Sequence, residues 1–309
     1  MNAESAAPGQ AVVTVGTFDG VHRGHALVLA RVVSAARANG HRAVLITFDP
    51  HPAAVLKPEA APALLTVGQE KADALARFGL DEIDVVPFTR ELASYEAERF
   101  VDEVLLGRFG MRELFVGHDH GFGRGRSGDS ATLERLGKVR GFDVHVVPAV
   151  EGRDGRPVSS TAIRSAVAEG DLAAATDGLG RPNAVSGAVE QGEQRGERLG
   201  FRTLNIALPP AAKLLPPDGV YAVRVAVADG LFGGMLNLGG RPTFGDSRRL
   251  IEAHLFDTGG VWYGERVRID FIRRMRPVMA FPGPDALVRQ LRRDEEATRV
   301  VLSRVRAGL

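Results

Sequence analysis

The sequence predicts an α/β protein, with a parallel sheet in the first half and a small antiparallel β-barrel with a C-terminal helix in the second. Up to about residue 150, apolar β-branched runs alternate with helical patterns, which is typical of βαβ units. Beyond about residue 187, short apolar runs are bounded by Gly, Asp or Pro, as in hairpins. The length of 309 residues suits about two domains.

The elements of the first half follow in a regular order. A helical repeat of Leu29, Val32 and Ala36 ends at Asn39-Gly40, and Ser94 is the expected N-cap of a later helix. In chain order we expect strands at 11–18, 43–48, 82–88, 112–117 and 143–149, and further helices at 69–79, 94–110, 130–141 and 159–170.

The second half changes rhythm at 177–187, so we expect domains at 1–180 and 187–309. Its strands are expected at 219–230, 231–240, 249–260 and 265–275. The last helix, at 284–308, is expected to carry an apolar stripe of Leu287, Leu291, Val300 and Val301.

Composition limits the classes of function. A net charge of +1 argues against a nucleic-acid partner. The chain has no cysteine, so disulfides and thiolate chemistry are excluded. It also lacks a visible signal peptide and an apolar run of membrane-spanning length, so we expect a cytoplasmic location and no membrane partner. Because lysine occurs only four times, a phosphate site must depend on Arg, backbone N–H groups or a metal.

The stretch GTFDGVHRGH joins the first strand to the first helix. Gly16, Gly20 and Gly24 allow the backbone to approach a ligand closely, and His22 and His25 could donate hydrogen bonds to a phosphate near the start of the helix. Two other interpretations stay open. The imidazoles could cap or pack, or they could bind zinc with the histidines at 118–120, although no Cys or HExxH pattern accompanies them.

Two later strand ends carry residue types that bind phosphate. A Gly-rich loop at 117–129 contains Arg124 and Arg126; taken alone, it could be an ordinary loop. The hydroxyl residues at 159–161 begin a helix that carries Arg164 one turn later, and these hydroxyls could be simple N-caps.

The motifs TFDGVHRGH, TFDPHP, FVGHDHGFGRGRSGD and VSSTAIR, in this order, resemble the FMN adenylyltransferase module of the bacterial bifunctional riboflavin kinase/FAD synthetase family. The resemblance implies a Rossmann-like nucleotidyltransferase sheet that joins FMN to ATP, giving FAD and pyrophosphate. His22 and His25 would stabilise charge on the α-phosphate. Nucleotide and phosphate would be bound by Gly16, Phe18, Asp19, Gly24, Asp119, Arg124, Ser160, Thr161 and Arg164.

A second Gly-rich stretch, at 186–206, lacks the lysine of a P-loop. Thr203 and Asn205 alternate, so in a strand they share one face, and their oxygens suit Mg²⁺. An exposed polar strand edge would explain the same residues. Glu252, amid apolar residues, could be a general base or a paired surface carboxylate.

The motifs LGRP, PPDGVYA, NLGGRPTFG, IEAHLFD and YGERVRIDF resemble the riboflavin kinase module of the same family. This implies that Thr203 and Asn205 hold Mg²⁺, that Glu252 deprotonates riboflavin, and that Gly192 and Gly200 line the ATP phosphates. The implied partners are riboflavin, FMN and ATP, with FAD as product and no obligate protein partner. The chain departs from the family pattern at Arg202, where proline is usual, at Leu204, and at Asn183, where an aromatic residue is usual.

Two rival functions stay open, and the departure at Arg202 motivates the first of them. The first is an FMN adenylyltransferase whose barrel binds flavin but has lost kinase activity. The second is a flavin-binding regulator or carrier without catalysis, against which the intact His22, His25 and Glu252 argue.

Overall fold

The structure is a computed structural model that describes residues 9–118, 120–192, 196, 199–241 and 246–305. The chain forms two compact units, Met1–Ser160 and Thr161–Leu309. The first contains a five-stranded sheet and the second a closed barrel, as the sequence predicts. Every helix among the described residues is too short or too polar to span a bilayer.

The first unit is built on a fully parallel sheet in the order β3-β2-β1-β4-β5. Its central strand has all five residues buried, so it separates two apolar clusters: Val13 and Val15 face one and Val12 the other. The strands are β1 Ala11–Val15, β2 Arg42–Asp49, β3 Glu82–Pro87, β4 Met111–Gly117 and β5 Asp143–Val147.

Helices connect these strands, and the two principal ones begin and end at polar or glycine caps. The first runs from its N-cap His22 to Gly40, where φ is +65°. Another starts at the N-cap Asp129 and ends at Gly141. The helices of this unit are α1 Arg23–Asn39, α2 Pro52–Leu56, α3 Gln69–Ala76, α4 Arg90–Ala93, α5 Ala97–Arg99 and α6 Ser130–Arg140.

The prediction that Ser94 caps the helix at 94–110 is wrong. Thr89 caps the short helix α4, and Ser94 ends it, with its hydroxyl donating to the carbonyl oxygen of Glu91 at 2.6 Å. A second start follows at Glu96, and the helix continues as a π-helix over Phe100–Leu106. A hydroxyl residue can cap the end of one helix as readily as the start of the next, so residue type alone did not distinguish the two.

The second unit is an antiparallel barrel in the order β10-β7-β6-β11-β8-β9. Alternate residues, including Val223, Leu236 and Ile269, fill its interior. Its elements are α7 Ser160–Glu169, which starts at the last residue of the first unit, α8 Leu172–Leu179, β6 Asn183–Glu190, β7 Leu204–Ile206, β8 Gly219–Val227, β9 Gly230–Arg241, β10 Asp246–Leu255, β11 Arg266–Arg276 and α9 Pro284–Arg304.

The division between the units falls earlier in the chain than the boundary at 180–187 that the sequence pattern predicts. Helix α8 accounts for the difference because it packs on β6 and β11. Leu172 belongs to the apolar cluster inside the barrel. The pattern of strands alone cannot show which sheet a short connecting helix covers.

The C-terminal helix α9 packs on the outside of the barrel through Val288, Leu291 and Leu302. Val300, expected in its apolar stripe, is 50% exposed. The buried face instead includes Asp294, which pairs with Arg276 at 2.7 Å, and Thr298. A stripe that contains buried polar residues cannot be traced by hydrophobic spacing alone.

Candidate active sites

The first candidate site lies where β1 ends and α1 begins, at the carboxyl edge of the parallel sheet. His22 is the N-cap of α1, and its Nδ1 accepts from the backbone N–H of His25 at 3.3 Å. In return, Nδ1 of His25 accepts from the backbone N–H of His22 at 3.4 Å. The two rings stack with their centroids 3.6 Å apart.

These two hydrogen bonds determine which nitrogen of each imidazole carries the proton. A ring nitrogen that accepts a hydrogen bond carries no proton, so both neutral rings hold their proton on Nε2. His22 is 7% exposed and His25 is half-buried. Both rings can therefore act as neutral Nε2–H donors beside the N-terminus of a 17-residue helix, where the helix dipole favours anions. The capping role and the phosphate role are compatible, since they use different nitrogens.

The glycines of this stretch make room for the histidine and phenylalanine rings. A Cβ at Gly24 would lie 3.1 Å from Cε1 of His22, and a Cβ at Gly16 would lie 3.2 Å from the ring of Phe18. The Phe18 ring in turn lies 4.7 Å from that of His25, centroid to centroid. Gly16 and Gly24 thus allow these rings to lie close to the backbone, and the Phe18 ring packs against His25; the contact of all three residues with nucleotide stays a prediction.

Asp19 is 3% exposed, and its Oδ1 accepts from the backbone N–H groups of Leu65 and Thr66. Ser160, the first residue of α7, donates its hydroxyl to the carbonyl oxygen of Asp19 at 2.9 Å. The structure therefore connects three of the predicted residues, Asp19, His22 and Ser160, through one loop. In α7, Arg164 donates to the hydroxyl of Thr161 at 3.1 Å.

The Gly-rich loop after β4 is held by a different part of the unit. Arg124 donates its backbone N–H to Tyr95 at 2.9 Å, and its guanidinium lies 3.6 Å from the carboxylate of Glu96. A Cβ at Gly123, where φ is +76°, would collide with the backbone of Ala97. Asp119 lies outside the described residues.

The second candidate site is a row of three polar residues across the barrel. Glu252 on β10 lies opposite Asn205 on β7 and opposite Asn237 on β9. Directly paired residues of antiparallel strands share a face. Their neighbours Leu204, Leu236 and Ile251 fill the barrel interior, so the polar row lies on the outer surface of the barrel.

A pocket lies over two residues of this row, Asn237 and Glu252, and Asn205 is not among its lining residues. Its polar side is completed by Thr203, His254 and Arg276. Its apolar wall comes from the barrel, the segment after β11 and helix α9, and includes Phe201, Met235, Val278, Met279, Phe281 and Leu291. A flat apolar ring with one polar edge matches this division of the lining.

The glycines before β7 pack against the candidate metal ligands. A Cβ at Gly192 would overlap the side-chain amide of Asn205, and a Cβ at Gly196 would lie 3.2 Å from the hydroxyl oxygen of Thr203. Gly200 has a φ of +80°, which favours glycine at this turn. Mg²⁺ keeps several waters and takes few protein oxygens, so the pair Thr203 and Asn205 fits it together with substrate phosphates. No group of three or more His, Asp or Glu that could hold a metal occurs among the described residues.

Arg202, where the family pattern has proline, is held by hydrogen bonds of its own backbone and side chain. Nδ1 of His254 lies 2.7 Å from the carbonyl oxygen of Arg202, and the Arg202 guanidinium donates to the carbonyl oxygen of Gly259 at 3.1 Å. His254 therefore fixes the backbone between Phe201 and Thr203, which a proline would otherwise stiffen. Asn183 is 2% exposed on β6, opposite Phe271.

Sequence reasoning missed Asn237 and the positioning role of His254. The alternation of polar and apolar residues in MLNLGG and IEAHLFD was the available signal, because it places Asn237, Glu252 and His254 on the face opposite the core residues. Which strands are neighbours in the barrel, and hence which polar residues meet, is not visible in that alternation.

Comparison with known proteins gives a separate match for each half of the chain. The family described as FAD synthetase matches residues 4–162. The family described as riboflavin kinase matches residues 179–302.

Curated proteins match across nearly the whole length. The bifunctional riboflavin kinase/FMN adenylyltransferase of Escherichia coli K12 is 36% identical over 93% of this chain and 91% of its own. The protein of the same name from Listeria monocytogenes is 34% identical over 95% and 93%. A crystal structure from Streptococcus pneumoniae, of a protein named as a macrolide-efflux protein, is 31% identical with a TM-score of 0.84 and covers 96% of both chains.

A helix N-terminus at the carboxyl edge of a parallel sheet suits phosphate groups, and a carboxylate in a pocket on a barrel suits proton transfer; the two together are typical of a two-part enzyme that acts on phosphate compounds. Both family matches and the length of the curated matches agree with that class. The chain belongs to the bifunctional riboflavin kinase/FMN adenylyltransferase family.

Proposed function

We propose that this chain makes FAD from riboflavin in two steps, with FMN as the intermediate. The barrel unit phosphorylates riboflavin with ATP, giving FMN and ADP. The N-terminal unit then transfers AMP from a second ATP to FMN, giving FAD and pyrophosphate. The observation that carries the proposal is that each family match contains its own candidate site: the His22–His25 pair in one and Glu252 in the other.

In the kinase step, the terminal ribityl hydroxyl of riboflavin attacks the γ-phosphorus of ATP. The proton of that hydroxyl passes to the carboxylate of Glu252, and ADP leaves. The apolar wall with Phe201, Met279 and Phe281 would take the flavin ring. The polar row places Glu252 between two side-chain amides, which can orient the carboxylate.

Thr203 and Asn205 would hold Mg²⁺ at this site, with Gly192 and Gly200 lining the ATP phosphates. When bound, the cation supplies positive charge that offsets the charge of the phosphates. The support for this assignment is the oxygen donor set, together with the close approach of Gly192 and Gly196 to the two side chains.

In the adenylylation step, a phosphate oxygen of FMN attacks the α-phosphorus of ATP, and pyrophosphate leaves. FMN is itself the nucleophile, so no covalent enzyme intermediate is needed. The Nε2–H groups of His22 and His25 would donate to the α-phosphate as its charge increases. Ser160, Thr161 and Arg164 would hold the leaving pyrophosphate, and Asp119 with Arg124 would contact nucleotide or flavin.

Use of ATP and the absence of cysteine from the sequence support a cytoplasmic location. The single experiment that tests the function is incubation of the protein with riboflavin, ATP and Mg²⁺, followed by chromatographic separation of the flavins. We expect FMN first and then FAD. FAD made only from added FMN would identify a barrel without kinase activity, and no conversion of either flavin would refute both activities.

A further inference from the structure

The loop that carries His22 has an unusual backbone. Phe18 and Val21 have φ angles of +47° and +42°, although neither is glycine. Such angles are costly for a β-branched residue such as Val21 and persist only where the surroundings over-determine them. The loop must therefore be held from outside.

Part of that hold comes from the segment before α3. The buried carboxylate of Asp19 accepts from Leu65 and Thr66 at 2.9 and 3.1 Å. The hydroxyl oxygen of Thr66 accepts from the backbone N–H of Gly20 at 3.0 Å. These three bonds fix Asp19 and Gly20, which lie between Phe18 and Val21.

A second hold comes from Lys71 on α3. Its ammonium group donates to the hydroxyl oxygen of Thr47 at 2.6 Å, and that hydroxyl donates to the carbonyl oxygen of Thr17 at 3.2 Å. Thr47, the middle residue of this relay, is 1% exposed. The charge of Lys71 also attracts the carboxylates of Asp19, which follows β1, and of Asp49, the last residue of β2.

We propose that Lys71 is a positioning residue for adenylyl transfer: through Thr47 and Asp19 its ammonium group holds the loop that presents His22. Lys71 acts on the loop through the hydroxyl of Thr47 and through its charge interaction with Asp19. The inference rests on the proposed adenylylation by this unit, and its test separates the two.

The charge of Lys71 is sensitive to mildly alkaline pH. Burial lowers the pKa of its ammonium group to about 8, and attraction to Asp19 and Asp49 opposes this only in part. Two carboxylates lie on the same helix as Lys71, those of Glu70 and Asp73. Each accepts a hydrogen bond from a residue other than Lys71. The ammonium group of Lys71 is therefore charged below about pH 8 and loses its charge above it. The electrostatic attraction between Lys71 and Asp19 is lost with that charge.

The test is the pH dependence of FMN adenylylation in the full chain, with Lys71→Met as the variant. The profile of kcat/KM reports groups of the free enzyme. We expect wild-type kcat/KM to fall with a midpoint near pH 8. At pH 7, Lys71→Met should lower kcat about tenfold or more, with KM values for FMN and ATP within about threefold, and its alkaline fall should disappear. Riboflavin phosphorylation in the same samples should be unchanged.

Lys138→Met, at an exposed lysine on α6, is the matched control and should behave as wild type. Nitrogen-15 NMR of the four lysines gives the titration of Lys71 in wild-type protein, which decides the matter even if the variant does not fold. A wild-type profile that stays flat while Lys71 titrates would overturn the proposal, as would an unchanged alkaline fall in a folded Lys71→Met. Failure of the wild type to make FAD from FMN would instead refute the proposed function.

Discussion

His22 and His25 cap each other: the Nδ1 of each ring accepts the backbone N–H of the other residue, and the rings stack 3.6 Å apart. Each imidazole thus uses its Nδ1 to cap helix α1, whereas the proposed contact with phosphate uses Nε2. Because capping uses Nδ1 and the proposed donation to phosphate uses Nε2, a substitution can remove one role and keep the other.

The substitution His22→Asn should preserve helix α1 but lower the rate of FMN adenylylation. Asparagine is a preferred N-cap, so its side-chain oxygen can replace Nδ1, but it has nothing in the place of the Nε2–H donor. We expect FMN adenylylation to fall by roughly 10²–10³, the effect of removing one donor to a developing charge. Thermal melting should be close to wild type and riboflavin phosphorylation unchanged. The control is His145→Asn: His145 lies on the edge strand β5, and its ring bonds to the carboxylate of Glu113 on the neighbouring strand β4. A variant with near-normal FAD synthesis would show that His22 is only a cap.

Gly24→Ala tests the room left for the His22 ring. Alanine is a better helix former than glycine, so stability should be equal or higher. The new Cβ would approach Cε1 and Nδ1 of His22 to 3.1 and 3.2 Å, which forces the ring to shift by a few tenths of an ångström. We expect FMN adenylylation to fall about tenfold because transfer depends on exact donor placement. A melt together with a rate assay measures both quantities; a stabilised variant with full activity would contradict the tight fit.

Glu252→Gln should stop riboflavin phosphorylation while added FMN is still converted to FAD. Glutamine keeps the shape and can still bond to its neighbours in the polar row, but it cannot take the proton of the ribityl hydroxyl. We expect a loss of about 10²-fold or more in FMN formation. Glu265→Gln, at an exposed carboxylate of the same barrel, should have no effect. Unchanged FMN formation in Glu252→Gln would assign the transfer to positioning alone.

Two fragments test where the barrel unit begins. Thr161–Leu309 includes Leu172, which lies in the barrel core, and the full length of β6. We expect it to melt cooperatively and to make FMN but no FAD. A fragment that starts at residue 187 lacks Leu172 and the pairing of Ala184 and Val185 with β11, so its melting temperature should be lower by several degrees. Equal melts, or a longer fragment that does not fold, would contradict the role of α8.

Local patterns predicted the fold class and most of the strands because each strand has an apolar period that is visible without its neighbours. The run at 11–15 and the alternation around Glu252 are examples. Features that depend on contacts distant in sequence were not visible. Ser94 ends a helix instead of starting one, and Asp294 is buried against Arg276 and interrupts the apolar stripe of α9.

In the candidate sites too, the sequence showed the residues with a local pattern and did not show those that depend on contacts distant in sequence. His22, His25, Thr203, Asn205 and Glu252 stand out because of residue type and spacing. Lys71 does not: a lone lysine in an amphipathic helix has no pattern. Only the fold brings it to Thr47, which is 24 positions away in sequence. The motifs thus marked the groups expected to meet substrate, whereas the residues that hold those groups came only from tertiary structure.

The central claim is that one chain carries two independent sites linked by free FMN. The most direct test is to mix two inactive variants, His25→Ala and Glu252→Gln, with riboflavin, ATP and Mg²⁺, and to separate the flavins. We expect FMN alone from His25→Ala, no product from Glu252→Gln, and FAD from the mixture, because FMN made by one variant can be adenylylated by the other. FAD from either variant alone, or a mixture that stops at FMN while Glu252→Gln still adenylylates added FMN, would contradict the account.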